Sequence, residues 1–270
     1  MKLRMKYKLV IFSLLLTGIT FAQTNQVDSK GRKQGEWAKT YEGIRVYKYK
    51  GQFKDDKPVG KFTYFYKSSK VKAVIKHDEN SSRSEAFFYH ENGSLMSYGI
   101  YRNMKKDSIW VNFGPSQRIS NTETFKNGEL NGPKVVFYVP SDPMDKSRRA
   151  AAVYNYVNGK LEGESKELFE SQVVKTKGQY KNNKKIGKWY TYYASRKKAT
   201  MTRYNEFGQR HGWCTAFNPL GKIVNREFYY YGKKLEGQKR IAKIDQLIEL
   251  GVDLRALGIN PDKRITPDRK

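Results

Sequence analysis

Residues 177 to 193 read KGQYKNNKKIGKWYTYY. The stretch places five aromatic residues and five lysines beside two glycines. Two interpretations fit this composition. It is either a surface that stacks on and charge-pairs with an anionic polymer, or a structural unit of short strands whose aromatic residues pack and whose lysines discourage aggregation. The rest of the chain helps to separate them, because the pattern recurs.

The recurrence is close. YKGQFKDDKPVGKFTYFY (49–66) matches the stretch almost position by position, and YGIYRNMKKDSIWVNF (98–113) does so with Ser108 in place of the second glycine. Relatives with shorter turns lie at 125–138, 156–169, 204–217 and 230–238. The second glycine, or its replacement, anchors each copy at Gly35, Gly60, Ser84, Ser108, Gly132, Gly163, Gly187, Gly212 and Gly237.

The spacing of these anchors predicts the fold. Seven of the eight steps are 24 or 25 residues, and the eighth contains an insertion at 139–150 whose two prolines predict a loop. Aromatic residues recur two and five positions after the anchor and seven before it. Such runs between Asn-Gly or Lys-Gly turns predict hairpins, which bury an apolar face only by stacking on one another. We therefore predict an all-β, elongated antiparallel β-hairpin solenoid of about nine copies at 23–239.

The pattern resembles the MORN repeat and is most similar to the variant repeats of the bacterial YwqK-type proteins. Asn127 to Gly132, Asn158 to Gly163 and Gly187 to Tyr193 carry the likeness, which spans roughly residues 28 to 238. The resemblance implies a hairpin solenoid that binds or scaffolds without catalysis, and it implies a possible antitoxin role. Ser84 and Ser108 depart from the family pattern at anchor glycines.

The two ends of the chain differ from the repeats. A basic start, an apolar run from Leu9 to Ile19 and small residues near Ala22 predict a signal peptide at 1–22, so we expect an exported protein that is periplasmic, outer-surface-associated or secreted. At the other end, 240–270 is predicted to be a helical cap and a loose tail. Its apolar spacing runs through Ile241, Ile244, Leu247, Ile248 and Leu254 and breaks at Gly251. An amphipathic membrane or partner helix is the alternative.

Charge points to the class of partner. The formal net charge is +27, and +23 once the four basic residues of the signal are removed. Such a surplus favours an acidic protein partner or an anionic envelope component, whether lipid headgroup or polymer. Export makes nucleic acid unlikely, and after signal cleavage we expect no integral membrane protein. The candidate binding residues are Lys181, Lys184, Lys185, Lys188, Arg148, Arg149, Arg196, Lys197 and Lys198.

Several candidates for chemistry fall in repeat positions that need only packing. His77 lies in the aromatic slot seven before Ser84, and Cys214 lies in the slot that holds tryptophan in other copies. We interpret both as packed side chains, and we interpret His90 as an exposed turn residue. His211 and Cys214 supply two metal ligands where zinc sites use three or four. We expect no cofactor, no metal and no catalysis, since no nucleophile elbow or phosphate-binding loop is present.

Three functions stay open from the sequence. The leading one is a non-catalytic binding or scaffold module in the cell envelope or outside the cell. The alternatives are a YwqK-like antitoxin or immunity protein, and a peripheral binder of anionic lipid or envelope polymer. The lysines themselves have two interpretations: they keep short strands soluble, or stacked turns align them into a basic stripe.

Overall fold

The structure, a computed structural model, describes residues 24–142 and 144–259. They form one 19-stranded antiparallel sheet followed by a single helix. The first strands are β1 (Gln26–Val27), β2 (Lys33–Thr40), β3 (Tyr47–Lys54), β4 (Lys57–Phe65), β5 (Val71–His77), β6 (Arg83–Tyr89), β7 (Leu95–Arg102), β8 (Lys105–Phe113), β9 (Ile119–Lys126) and β10 (Glu129–Phe137). The remaining strands are β11 (Ala150–Val157), β12 (Lys160–Leu161), β13 (Gly163–Leu168), β14 (Val174–Lys181), β15 (Lys184–Tyr192), β16 (Lys198–Tyr204), β17 (Gly212–Phe217), β18 (Ile223–Tyr230) and β19 (Lys233–Leu235).

The strands pair in chain order, which confirms the predicted all-β array of hairpins. β11 pairs with both β12 and β13, which are two parts of one strand interrupted at Glu162. Alternate connections therefore lie on opposite sides of the sheet. We call the side with the two-residue turns, such as Asn182-Asn183, the turn edge, and the side with the longer loops, such as 193–197, the loop edge. The predicted signal peptide at 1–22 and tail at 261–270 lie outside the described residues.

Two-residue hairpins form the turn edge because their central residues adopt left-handed backbone angles. Asn127 and Gly128 have φ of 53° and 90°, and Asn182 and Asn183 have 49° and 67°. Such turns match the twist of the flanking strands, and Asn and Gly tolerate them best. Successive turns are also linked, since the Gly128 N–H donates to the Lys106 carbonyl at 2.8 Å. The predicted stacking of equivalent turns is thus present in the backbone.

The anchor glycines have a more specific role than marking turns. They lie inside the second strand of each hairpin, where Gly60 and Gly187 have φ of 63° and 64°. Around each, three residues face one residue of the preceding strand, so that 187–189 lie opposite Gly178. The anchor is therefore the left-handed residue of a β-bulge. Ser108 keeps this conformation at φ 59° without being glycine, whereas the β5–β6 pairing runs through Ser84 without a register shift.

The bulge aims a large ring at a glycine nine residues before the anchor. Phe62, Trp110 and Trp189 lie so close over Gly51, Gly99 and Gly178 that a Cβ there would overlap the ring. The indole N–H of Trp189 donates to the Gln179 carbonyl at 3.1 Å, and Trp110 makes the equivalent bond to Ile100. These rings are almost completely buried, with exposed fractions of 1 to 7%. They form the core of a sheet that is otherwise one layer thick.

Tyrosine hydroxyls tie consecutive copies together at the loop edge. Each donates to a backbone carbonyl one repeat further on, at 2.6 to 2.8 Å. The pairs are Tyr41 with Phe65, Tyr66 with Tyr89, Tyr138 with Leu168, and Tyr193 with Phe217. The pair from Tyr138 spans the insertion, which closes by a bond from the Tyr138 N–H to the Arg149 carbonyl. The insertion therefore leaves the stacking of the hairpins intact.

The C-terminal helix α1 (Gly237–Glu249) confirms the predicted cap. Ile244 and Leu247 are buried, and the turns after the helix add Leu254, Leu257 and Ile259 to the same cluster. This cluster packs on Phe228, Trp213, Tyr230 and Leu235 of the last strands, so the cap covers one face of the sheet. Ile248, expected on the apolar side, is 53% exposed. None of the described helices is long and apolar enough to cross a membrane.

Candidate basic groove on the lysine face

The two faces of the sheet carry different side chains because residues alternate along a strand. In β14 the half-buried positions are Val174, Thr176, Gly178 and Tyr180, and the positions between them are exposed. We call the side with Gly178 and Trp189 the aromatic face. The opposite side, with Lys175, Lys177, Gln179 and Lys181, is the lysine face.

One row of directly paired residues runs along the middle of the lysine face. From β5 to β11 it consists of Val74, Phe87, Tyr98, Val111, Thr122, Val135 and Val153. The row then continues through Lys166, Lys177, Tyr190 and Met201. Two neighbouring strands thus replace apolar residues by lysines where the repeat elsewhere places β-branched or aromatic side chains.

These lysines line an open groove of about 690 Å³. Lys166 and Lys177 are direct cross-strand partners, which places their Cβ atoms about 5 Å apart. Lys188 lies on the next strand and also lines the groove. Glu164 is the one carboxylate in the lining, so three lysines leave a net charge of +2. None of the three lysines belongs to an ion pair in the described part of the chain.

Two tyrosines lie beside the lysines. The rings of Tyr190 and Tyr192 are 6.3 Å apart, and Tyr190 is paired with Lys177 across the strands. The Lys198 ammonium lies 5.3 Å from the Tyr190 ring, and that of Lys177 lies 5.8 Å from the Tyr192 ring. The groove therefore combines cations with an aromatic surface, a combination able to bind a ligand that carries both anions and apolar faces.

The cross-strand partner of Lys188 joins the groove to the C-terminal cap. That partner is Arg203, whose Nη1 donates to the Trp213 carbonyl at 2.8 Å. Burial lowers the pKa of the Arg203 guanidinium, which lies against the backbone of Gly258. Arg203 is thus committed to holding the cap, and Lys188 is left as an exposed cation beside another positive charge.

The structure divides the lysines predicted from the opening stretch. Lys181 and Lys184 are exposed direct partners that flank the turn on the lysine face. Lys185 lies on the other face, with its ammonium 4.3 Å from the Trp189 ring. Lys106 repeats this contact at 4.2 Å on Trp110, so Lys185 fills a structural position of the repeat.

The other predicted cations lie away from the turn edge. Arg148, Arg149, Arg196 and Lys197 belong to loops of the loop edge, so they do not extend a stripe of turn lysines. Arg149 pairs with Asp145 at 2.5 Å and with Glu170 at 3.2 Å, which makes it a clasp for the insertion. Lys198 begins β16 and reaches Tyr190, so of this group it alone contributes to the groove.

Sequence reasoning missed Lys166 and Lys177, the two central residues of the groove. Both positions could have been found from the repeat itself. Lys166 lies three residues after its anchor, where the other copies carry Ala38, Thr63, Phe87, Val111, Val135, Tyr190 and Thr215. A lysine in that otherwise uncharged slot is the departure that marks the site.

A second concavity, of about 670 Å³, lies at the turn edge beside His77. The imidazole packs edge-on against Phe62 at 5.2 Å, and its Nδ1 lies 2.8 Å from the Ser84 hydroxyl. Burial lowers the pKa of His77. Because Ser84 is only 5% exposed, this pair is a packing contact, and His77 takes its predicted place in the aromatic slot. His90, expected to be exposed, is half-buried in its loop.

Cys214 is half-buried rather than buried, and burial raises the pKa of its thiol. Its neighbour Trp213 points to the opposite face and packs on the cap. The His211 Nδ1 accepts a bond from the Tyr231 N–H at 3.1 Å, which gives that ring a structural partner. Across residues 24–142 and 144–259, no three His, Cys, Asp or Glu side chains are grouped to hold a metal ion.

Comparison with known proteins gives little further guidance. No family model and no curated protein matches the sequence. Two solved structures resemble part of the chain: a mutant of TarM from S. aureus in complex with fondaparinux, alpha-GlcNAc-glycerol and UDP, and TarM alone. Each is 13% identical, with TM-scores of 0.21 and 0.23 over 46% and 48% of this chain. The chain spans about a fifth of the length of those chains, and likeness at this level carries no argument.

Proposed function

We propose that the chain is an exported, non-catalytic repeat module of the MORN-like kind that binds an anionic component of the cell envelope. The binding surface is the lysine face around β13 to β16. The sheet serves as the rigid support, and the exposed lysines of the groove supply the attraction. The support for this proposal comes from the arrangement of those lysines.

One observation carries the proposal: cations are placed directly opposite one another on this face. Lys166 pairs with Lys177, Lys181 with Lys184, and Lys188 with Arg203. Like charges in direct cross-strand positions destabilise a sheet, by an amount within the range of about 0.2 to 1 kcal/mol that such pairs contribute. Solubility alone needs no such juxtaposition, since lysines alternating with acidic residues would serve it at lower cost. An anionic ligand would turn the repulsion into attraction.

The test measures binding of the chain from residue 24 onward to a panel of polyanions at two salt concentrations. Phosphatidylglycerol vesicles, polyphosphate and polygalacturonate are the probes. We expect binding at 50 mM salt that weakens strongly at 500 mM, because the screening length falls from more than 10 Å to about 4 Å. Lys166→Gln/Lys177→Gln/Lys188→Gln should weaken it about tenfold, at roughly 0.5 kcal/mol for each exposed pair.

The control removes the same charge elsewhere. Lys30, Lys67 and Lys70 are exposed residues of loops and turns outside the groove. Lys30→Gln/Lys67→Gln/Lys70→Gln should change the affinity less than twofold. Equal effects of the two triple variants would show that only the overall charge matters. Failure to bind any of the three polyanions at 50 mM salt would refute the proposed function.

A further inference from the structure

We infer that the groove receives an anionic polysaccharide, with Tyr190 as the surface on which a sugar ring lies and Lys166, Lys177 and Lys188 as partners of its acidic groups. The inference rests on the proposed function and narrows it to one chemical class. It follows from the position of Tyr190 among the lysines, which a ligand that is only a string of charges does not require.

The first argument is the aromatic centre of the groove. Tyr190 continues the line of Lys166 and Lys177 on the next strand, so the three side chains follow one another at about 4.8 Å per strand. The ring is half-buried and held from the side by Tyr192, which leaves a fixed aromatic edge in the groove. A sugar offers C–H faces that pack on such a ring and carboxylate, phosphate or sulfate groups that meet the lysines.

The second argument is the shape and lining of the site. It is a recess whose apolar members Val153 and Val174 are half-buried, so no apolar side chain of the groove is exposed to enter a bilayer. Binding to a lipid surface through charge alone favours a protruding patch that can approach the headgroups. A recess that crosses several strands is better suited to one extended chain. Its polar members Asn155 and Gln179 can bond to sugar hydroxyls.

The third argument is that these side chains have no other work in the sheet. The equivalent row in the preceding strands is filled by Val135 and Val153. Replacing such residues by lysines at two adjacent positions gives up apolar contact and adds repulsion. Lys185 shows the contrast, because its contact with Trp189 recurs in another copy and needs no ligand.

The experiment compares polysaccharides that carry acidic groups with polyanions that contain no sugar. Polygalacturonate and dextran sulfate are the test ligands; neutral dextran, polyphosphate and phosphatidylglycerol vesicles are the controls. Tyr190→Ala should weaken binding of at least one acidic polysaccharide about tenfold. The same variant should leave polyphosphate binding within about twofold, and Tyr190→Phe should retain polysaccharide binding. Lys166→Gln/Lys177→Gln should weaken binding of both classes.

The outcomes separate this inference from the proposed function. If Tyr190→Ala leaves both acidic polysaccharides bound as tightly as before, the sugar platform is wrong, while binding of anions stands. Preference for vesicles or polyphosphate over both polysaccharides would also overturn the inference. Absence of binding to every polyanion would remove the proposed function itself. Thermal unfolding of Tyr190→Ala and Tyr190→Phe shows whether a loss of affinity reflects a loss of structure.

Discussion

Replacing Gly178 by alanine tests the central packing contact of the repeat. A Cβ at this position would overlap the five-membered and six-membered rings of Trp189. The backbone at Gly178 is not left-handed, so alanine adds no strain of its own and the effect is purely one of space. Trp189 has little freedom to move, because its indole N–H is bonded to the Gln179 carbonyl and Tyr180 packs edge-on at 5.0 Å.

The expected cost follows from these contacts. Overpacking a filled site costs about 1 to 3 kcal/mol. Displacing the indole adds about 1 kcal/mol for the strained or lost hydrogen bond. Alanine returns about 0.5 kcal/mol by reducing the conformational freedom of the unfolded chain. We therefore expect Gly178→Ala to lower the free energy of unfolding by about 2 to 3 kcal/mol, equivalent to a fall in Tm of roughly 4 to 12 °C in a chain of this size.

Urea unfolding followed by tryptophan fluorescence and by circular dichroism measures this change. Gly114→Ala is the matched control, since the nearest atoms to its Cβ would be 3.9 and 4.0 Å away and its backbone is also not left-handed. It should be neutral or slightly stabilising. Trp189→Ala combined with Gly178→Ala should cost less than the sum of the two single changes. A Gly178→Ala variant within about 0.5 kcal/mol of the original chain would refute the packing argument.

Three further predictions follow from neighbouring features of the sheet. Ser108→Gly should stabilise the chain by about 0.5 kcal/mol, because it relieves a left-handed serine, whereas Ser84→Gly should destabilise it by about 1 kcal/mol through loss of the hydroxyl contact; urea midpoints decide, and equal signs for the two would contradict the bulge assignment. Burial holds the folded pKa of His77 below its ordinary value of about 6.5, so its contribution to stability is complete above that pH and is lost as pH falls from there to the folded pKa. His77→Phe should thus lose less stability between pH 7.5 and 5 than the original chain does, and an unchanged pH slope would exclude this role. Lys177→Glu should raise stability by up to about 1 kcal/mol by pairing with Lys166, yet weaken polyanion binding; a variant that is both less stable and equally able to bind would contradict the charge argument.

Much of the fold was predictable because the repeat constrains it many times over. The 24- to 25-residue period predicted hairpins, and Asn127-Gly128 predicted a two-residue turn that the structure contains. The insertion at 139–150 fell at a loop, as its prolines indicated. What the sequence did not reveal is that the anchor glycine and the glycine nine residues earlier serve one ring together. That relation crosses two strands, and it became visible only when the register paired Gly178 with the bulge at 187–189.

The site was less predictable because charge and position had to be combined. Counting cations selected Arg149, which is neutralised by Asp145 and Glu170, and Lys185, which lies on an aromatic ring. Both look like binding residues in a sequence, since neither an ion pair across an insertion nor the face of a strand can be read from composition. Lys188 and Lys198 were selected correctly as residues near the groove, but for their place in a lysine-rich stretch rather than for what surrounds them.

The repeat offers a general way to separate binding residues from supporting ones, and Lys177 shows how it works. A lysine that recurs at one slot with the same contact, as Lys106 and Lys185 do, is explained by the scaffold. Lys177 occupies a row that holds Tyr98 and Thr122 in earlier copies, and its direct partner Lys166 also departs from its slot. Two departures that meet across one strand boundary, with the same sign of charge, are destabilising together. They are therefore the substitutions for which a ligand, rather than the fold, provides the physical reason.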